Sequence, residues 1–145
     1  MKYLLFARIG YFTLTSSCTT PAHVFGGEWR LLGTNELPYS GTIKIDNNNN
    51  VTGTIKKTGE ISGKGQLINS NWIQKFQGRD EQLLTQNIER FGVRSPIFSD
   101  NVYSVTLHSI DGKEGNSNLN FFMFTAGSKT YFTIESELNW IFEKQ

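Results

Sequence analysis

The side chains of this chain that could take part in chemistry are few and far apart. Cys18 is the single cysteine, and it lies in the stretch LTSSCTT over residues 14–20. One cysteine excludes an intramolecular disulfide framework. His23 and His108 are the two histidines, so a zinc site would need an unusual all-carboxylate set of further ligands. We therefore expect neither a metal nor another cofactor.

Glu135 and Glu137 come closest to a catalytic pair. Two carboxylates can act as general acid and as base or nucleophile in glycoside hydrolysis. Here both residues fall on the same face of a predicted strand, where carboxylates usually face water. The chain also contains no Gly-x-Ser-x-Gly, no phosphate-binding glycine loop and no His-Glu-x-x-His. The sequence therefore predicts no catalytic residue and a protein that is not an enzyme.

The first residues, MKYLLFARIGYFTLTSSC, have the layout of a secretory signal. Lys2 and Arg8 supply positive charge, and residues 9–15 are apolar or weakly polar. That apolar stretch is shorter than the roughly 20 residues that a membrane-spanning helix needs. The pattern therefore favours export over a transmembrane anchor.

The end of this segment resembles a bacterial lipobox, where a cysteine receives diacylglycerol and becomes the new amino terminus. Two serines precede Cys18, and Leu14 lies one position earlier than the lipobox pattern places its leucine. Each buried methylene of an acyl chain contributes about 0.8 kcal/mol to membrane binding. We expect a signal segment over 1–18, a tether over 19–27 and one β-rich domain over 28–145.

The lipobox resemblance implies a lipoprotein of the cell envelope, in the outer membrane, with the membrane as its partner through Cys18. Two alternatives stay open. The segment could be cleaved by ordinary signal peptidase to give a soluble periplasmic or secreted protein, or it could stay uncleaved as a terminal strand.

Length, charge and aromatic content narrow the class of protein further. A chain of 145 residues has room for one core of ordinary size. Fourteen Lys and Arg against thirteen Asp and Glu argue against a nucleic-acid partner, which requires a clustered basic excess. Eleven Phe, five Tyr and three Trp favour strands.

Alternating apolar residues predict strands through most of the domain. Trp29 and Leu31 share one face, and the alternation on both sides of the DNNNN stretch at 46–50 indicates a β-hairpin. A turn is expected at 111–112, followed by a polar loop through Asn118. The further predicted strands cover residues 60–68, 71–76, 101–110, 119–124, 129–135 and 137–144. In the last of them, Leu138, Trp140 and Phe142 are expected on one face.

One segment changes to helical spacing. Leu84, Ile88 and Phe91 recur at intervals of four and three, and Asp80 and Gly92 can begin and end a helix over about residues 80–91. Strands before and after a single helix, without a parallel crossover repeat, indicate an antiparallel arrangement. The predicted fold is mainly β, an antiparallel sheet rolled into a partial barrel with one amphipathic helix.

Over about residues 27–113 the chain resembles the META domain family, small bacterial domains that include a heat-inducible outer-membrane lipoprotein. The resemblance rests on the lipobox-like start, the strand with Trp29, the glycine-punctuated run TIKIDNNNNVTGTIKKTGEISGKGQL, the helix, and SDNVYSVTLHSIDGK. It implies a non-catalytic role in envelope maintenance or stress.

A second resemblance is to the calycins, the lipocalin- and avidin-like barrels. It rests on Gly27-Glu28-Trp29, a Gly-x-Trp motif on the first strand. It implies that the barrel binds a small hydrophobic ligand. Trp29, Phe122 and Trp140 are then candidate ligand contacts, and otherwise they belong to the core, which aromatic residues usually dominate. A further alternative is a secreted inhibitor or adhesin that binds another protein of the envelope.

Overall fold

The computed structural model describes residues 24–76 and 79–145, and this part of the chain forms one closed barrel of eight antiparallel strands. The strands are β1, Gly27–Leu31; β2, Gly41–Ile45; β3, Asn50–Ile55; β4, Gly59–Asn69; β5, Ile97–Ile110; β6, Lys113–Ala126; β7, Lys129–Ile134; and β8, Glu137–Lys144. Each strand pairs with the next in sequence, and β8 pairs with β1. The predicted mainly-β antiparallel fold is confirmed, and the barrel is closed rather than partial.

This up-and-down order gives the barrel two ends. The near end is where the chain joins β1, and it also holds the β2–β3, β4–β5 and β6–β7 connections. The far end holds the remaining connections, at residues 32–40, 56–58, 111–112 and 135–136.

The predicted hairpin around DNNNN is confirmed, and its loop is held at the near end by side chains. The Asp46 carboxylate accepts the backbone N–H groups of Asn48 at 2.8 Å and Asn50 at 2.9 Å. The Asn50 side chain adds a third hydrogen bond, and together these bonds lower the pKa of Asp46. Asn49 takes the left-handed conformation with φ of 64°, and its side chain accepts a hydrogen bond from the Tyr103 hydroxyl at 2.7 Å. The β2–β3 loop is therefore bonded to β5 at the near end of the barrel.

The turn at Asp111 and Gly112 is confirmed, but the polar loop expected after it is wrong. Both turn residues have positive φ, 52° and 77°, as a two-residue hairpin turn of the primed type requires. The chain then continues directly into β6, which pairs with β5 from the turn onward. The side chains of residues 113–118 are all exposed, so this part of β6 lacks the alternation of buried and exposed residues by which a strand is predicted. Backbone hydrogen bonds to β5 hold residues 113–118 in the strand conformation.

The barrel interior is filled by large apolar side chains from all eight strands. The rings of Phe121 and Phe132 stack at 4.2 Å between centroids, and those of Phe132 and Phe142 stack at 4.8 Å. Trp29 meets Phe132 edge-on at 4.8 Å. Around these rings lie smaller buried residues, among them Ile43, Ile45, Val51, Ile55, Val105 and Ile134. Side chains rather than an open lumen therefore fill the barrel.

A second apolar cluster lies on the outside of β5 to β8, beneath the predicted helix. Helix α1, Arg79–Glu89, confirms the prediction for 80–91 to within two residues, and Gly92 follows it with φ of 83°. Leu84 and Ile88 are buried against the outer wall. β6 is buried on both faces from Phe121 to Phe124, because residues of this outer cluster cover Phe122 and Phe124.

The strand predicted over residues 71–76 is wrong, because Trp72–Phe76 form a short 3-10 helix. The Trp72 ring stacks on Phe122 at 4.5 Å and meets Phe76 and Phe98 edge-on at 5.9 and 5.3 Å. The Trp72 indole N–H also donates to the Ser99 carbonyl. A single helical turn brings Trp72 and Phe76 to the same cluster, which a strand in this position would not do.

The tether predicted over 19–27 extends too far, because the barrel already includes its last residues. Phe25 is fully buried in the interior and stacks on Tyr103 at 5.0 Å between ring centroids. Gly27 is the first residue of β1. The folded domain therefore begins before Glu28, and Phe25 closes the near end of the barrel.

The shared face expected for Leu138, Trp140 and Phe142 is also wrong. The register of β7 and β8 shifts between Thr133 and Ile134, which changes the side on which the following residues lie. Leu138 packs with the outer cluster, whereas Trp140 and Phe142 pack with the interior.

Candidate functional site

The proposed lipid-attachment residue, Cys18, lies outside the described residues. The first described residue near it is Val24, whose carbonyl accepts a hydrogen bond from the Lys144 ammonium at 3.1 Å. The same ammonium lies 5.6 Å from the centroid of the Trp29 ring. Lys144 therefore ties the chain before β1 to the last strand, at the near end.

Trp29, Phe122 and Trp140 do not form one ligand site. Trp29 is fully buried inside the barrel, where its indole N–H donates to the Phe25 carbonyl at 2.8 Å. Phe122 lies on the other side of the wall, in the outer cluster beneath Trp72. Trp140 is half-buried and packs against the interior cluster. Trp29 and Trp140 therefore pack with the interior cluster, whereas Phe122 belongs to the outer one.

Glu135 and Glu137 do not share a strand face either. Glu135 is exposed in the turn between β7 and β8, where its carboxylate accepts a long hydrogen bond of 3.5 Å from Asn120. Glu137 is the half-buried first residue of β8. The two carboxylates therefore belong to different local structures.

The most enclosed carboxylate is Glu143, on the outer wall where the barrel closes. Its Oε1 lies 3.3 Å from the Arg30 guanidinium and 3.4 Å from the Lys129 ammonium, and its side chain is 12% exposed. Burial by itself would raise the pKa of Glu143, but the hydrogen bonds from Tyr131, Lys129 and Arg30 and the charge of Lys129 outweigh burial and lower it. Glu143 is therefore ionised at neutral pH and links β7, β8 and β1.

The outer wall of β1 to β4 is polar, in contrast to the covered wall of β5 to β8. Cross-strand neighbours form a row around it, in which Glu143 pairs with Arg30, Arg30 with Thr42, and Thr42 with Thr54. Glu60 of β4 pairs with Thr54 at the end of this row. Charged and hydroxyl groups therefore lie side by side over five strands.

The middle of this row, Arg30, Thr42 and Thr54, lines a depression of about 630 Å³, which we call the far-end depression. Its floor is the outer wall of β1 to β3, and its side is the β1–β2 loop. Its lining includes the polar side chains of Arg30, Thr34, Tyr39, Thr42, Thr54 and Lys56. Three other depressions, of about 480 to 680 Å³, also open outward rather than lying among the interior rings.

Sequence reasoning did not single out any residue of this depression. Arg30, Thr42 and Thr54 stand in strands that read as ordinary apolar and polar alternation. The β1–β2 loop contains Gly33 and Pro38, which indicate a turn but not a binding wall. Only the register of three strands brings these residues together, and no local motif encodes that register.

Within the described ranges, no group of three or more His, Cys, Asp or Glu side chains is placed to hold a metal ion. Neither helix described has the length and apolar content needed to cross a bilayer.

The fold defines the chain as an up-and-down β-barrel of eight strands, the architecture that lipocalins and streptavidin also use. Comparison of the chain with protein-family models, curated proteins and solved structures found no match. The resemblances to the META domain family and to the calycins therefore stay predictions.

Proposed function

We propose that this protein is a non-catalytic component of the bacterial cell envelope that contributes to envelope maintenance and is attached to the outer membrane through a lipid on Cys18. The observation that carries the proposal is the export-type segment with its lipobox-like end, MKYLLFARIGYFTLTSSC. Cys18 itself lies outside the described residues, which begin at Val24.

The direction of the chain supports the same proposal. The described chain begins with Val24 at the near end, where Phe25 closes the interior. The far-end depression lies at the opposite end, beside the β1–β2 loop. A lipid on Cys18 would therefore hold the near end toward the membrane and leave the far end open to solution.

The interior packing favours this function over a hydrophobic ligand inside the barrel. A lipocalin-like ligand would have to displace stacked rings such as Phe121, Phe132 and Phe142, which are fully buried. Protein interiors packed in this way leave few voids larger than a water molecule.

The test is the intact mass of the full chain extracted from bacterial membranes, together with labelling by a radioactive or alkyne fatty acid. We expect a product that begins at Cys18, carries the mass of a diacylglycerol and an acyl group, and incorporates the fatty acid. The matched variant Cys18→Ser should incorporate no fatty acid and leave the membrane fraction. A membrane-extracted product that retains Met1 and a free Cys18 thiol would refute the proposal.

A further inference from the structure

The far-end depression presents positive charge to whatever occupies it. Arg30 and Lys56 are among its lining residues, and no Asp or Glu is. Lys56 forms no ion pair among the described residues. Two carboxylates flank the depression without lining it. Glu143 is bonded to Arg30 at 3.3 Å, and Glu60, the cross-strand partner of Thr54, lines a separate depression on the same wall.

The floor of the depression adds hydroxyl donors between the two cations. Arg30, Thr42 and Thr54 are successive cross-strand partners on one face. Side chains in such a row stand about 5 Å apart at their Cβ atoms. Lys56 follows Thr54 by two residues and therefore extends the same face toward the far end. A guanidinium, two hydroxyls and an ammonium thus lie along one short stretch of surface.

These donors fit a phosphate better than a carboxylate. An arginine fork binds carboxylate and phosphate alike, and one arm of Arg30 is already bonded to Glu143 at 3.3 Å, so a ligand here must take its further donors from Lys56 and the two hydroxyls. A phosphate monoester carries a charge of about −1.5 to −2 and three acceptor oxygens, so it can use single donors from several directions. The Glu143 contact also holds the guanidinium in place before a ligand arrives.

The wall of the depression is fixed by the backbone of the β1–β2 loop. A side chain at Gly33 would stand 2.3 Å from the Tyr39 carbonyl oxygen, so the two ends of the loop approach too closely for any other residue. The Lys56 N–H donates to the Ser40 carbonyl at 3.0 Å, and the Leu37 N–H donates to the Thr34 hydroxyl at 2.9 Å. Tyr39 is half-buried, packs against the interior cluster and also lines the depression.

We propose that the far-end depression binds the phosphate group of a small soluble molecule, with a phosphorylated sugar as the class of ligand. Arg30 and Lys56 bind the phosphate, Thr42 and Thr54 donate hydrogen bonds to it, and the Tyr39 ring packs against the sugar. The inference needs only the folded barrel and does not depend on acylation of Cys18.

The test is a titration of the ¹⁵N-labelled chain, followed by two-dimensional NMR, with inorganic phosphate, glucose 6-phosphate, glucuronate and glucose. We expect saturable shifts with the two phosphates, confined to β1 to β3 and the β1–β2 loop. Tighter binding of glucose 6-phosphate than of inorganic phosphate identifies the sugar phosphate as the source of the group, and equal affinity identifies free phosphate. Absence of saturation by either phosphate at about 10 mM, which would reveal even millimolar affinity, overturns the proposal.

Paired lysine variants separate a site from general attraction between charges. Lys56→Gln should weaken phosphate binding about tenfold, as expected for loss of one charged hydrogen bond. The control, Lys113→Gln, removes the same charge from an exposed position at the same end of the barrel and should leave the affinity unchanged. Equal losses in both variants, or binding of glucuronate or glucose as tight as that of glucose 6-phosphate, would contradict the assignment.

Discussion

Removal of the Phe25 side chain should destabilise the barrel as strongly as loss of a core residue from the middle of a strand. Phe25 is fully buried although it precedes β1. Its ring lies 5.0 Å from that of Tyr103, 6.0 Å from Trp29 and 6.2 Å from Phe132, measured between centroids. Phe25→Ala leaves a cavity among these rings at the near end.

The expected size of the effect follows from the burial. Replacement of a buried Phe by Ala typically costs about 3–5 kcal/mol, and we expect about 3 kcal/mol because the segment around Phe25 can partly relax. For a domain of this length, that corresponds to a fall in Tm of about 10 °C. The loss is a large part of the roughly 5–15 kcal/mol that stabilises a typical domain.

The assay is urea and thermal unfolding of residues 19–145, followed by circular dichroism and Trp fluorescence. A second chain, residues 28–145, begins where the sequence predicted the domain to begin. It lacks the Phe25 side chain and also the Phe25 carbonyl, which accepts the Trp29 indole N–H at 2.8 Å. A buried donor without an acceptor costs about 1–3 kcal/mol more, so this chain should be less stable than Phe25→Ala.

The control is Phe91→Ala, which removes the same side chain from a half-buried position beside α1 and should cost less than Phe25→Ala. If residues 28–145 unfold at the same urea concentration as residues 19–145, Phe25 does not close the barrel and the reasoning fails.

Two further substitutions test the close approach of β2 and β3 and the role of Glu143, which lies where β8 pairs with β1. In Gly53→Ala, the new Cβ would stand 2.4 Å from the Thr42 carbonyl oxygen, so we expect a loss of about 1–3 kcal/mol in urea unfolding. Gly115→Ala meets nothing within 4 Å and should be neutral or slightly stabilising; similar losses for both would show that the strands do not approach so closely. Glu143 has a folded-state pKa below its usual 4.5, so its contribution to stability is full above that value and is lost as the pH falls through the lower, folded-state pKa. Glu143→Gln should therefore unfold more easily than the parent at pH 7 and approach it below pH 4.5 in thermal scans, and a constant difference across that range would contradict the pKa shift.

Local patterns predicted the parts of the fold that local chemistry determines. The loop at 46–50 is closed by one Asp side chain and by Asn residues that accept left-handed conformations, so the hairpin can be identified without knowledge of the barrel. Helix α1 is similarly visible because Leu84 and Ile88 recur on one face and both are buried. Such elements depend on residues within a few positions of one another.

The elements that the sequence misplaced depend on distant partners. Trp72 leaves the strand pattern because Phe122, fifty residues later, provides the ring on which it stacks. The first half of β6 is a strand because β5 pairs with it, although its own residues are polar. Phe25 lies in a Gly- and Pro-containing stretch typical of a tether, and only the open near end of the barrel makes it a core residue. The structures of these three segments can therefore be predicted only when the arrangement of the closed barrel is known.

The far-end depression also depends on residues that are distant in sequence. The reason is that one outer wall of the barrel is buried and the other is polar and exposed. In β6 and β7, consecutive apolar residues fill the interior and the outer cluster, so α1 and the 3-10 helix occupy that wall. In β2 and β3, Ile43, Ile45, Val51 and Ile55 point inward and leave Thr and Lys outside. The interior is filled and one wall is covered, so the polar wall of β1 to β4 and the far end are where this fold can present converging polar groups to a partner. The far-end depression therefore follows from the packing of the rest of the molecule, although none of its residues carries a motif.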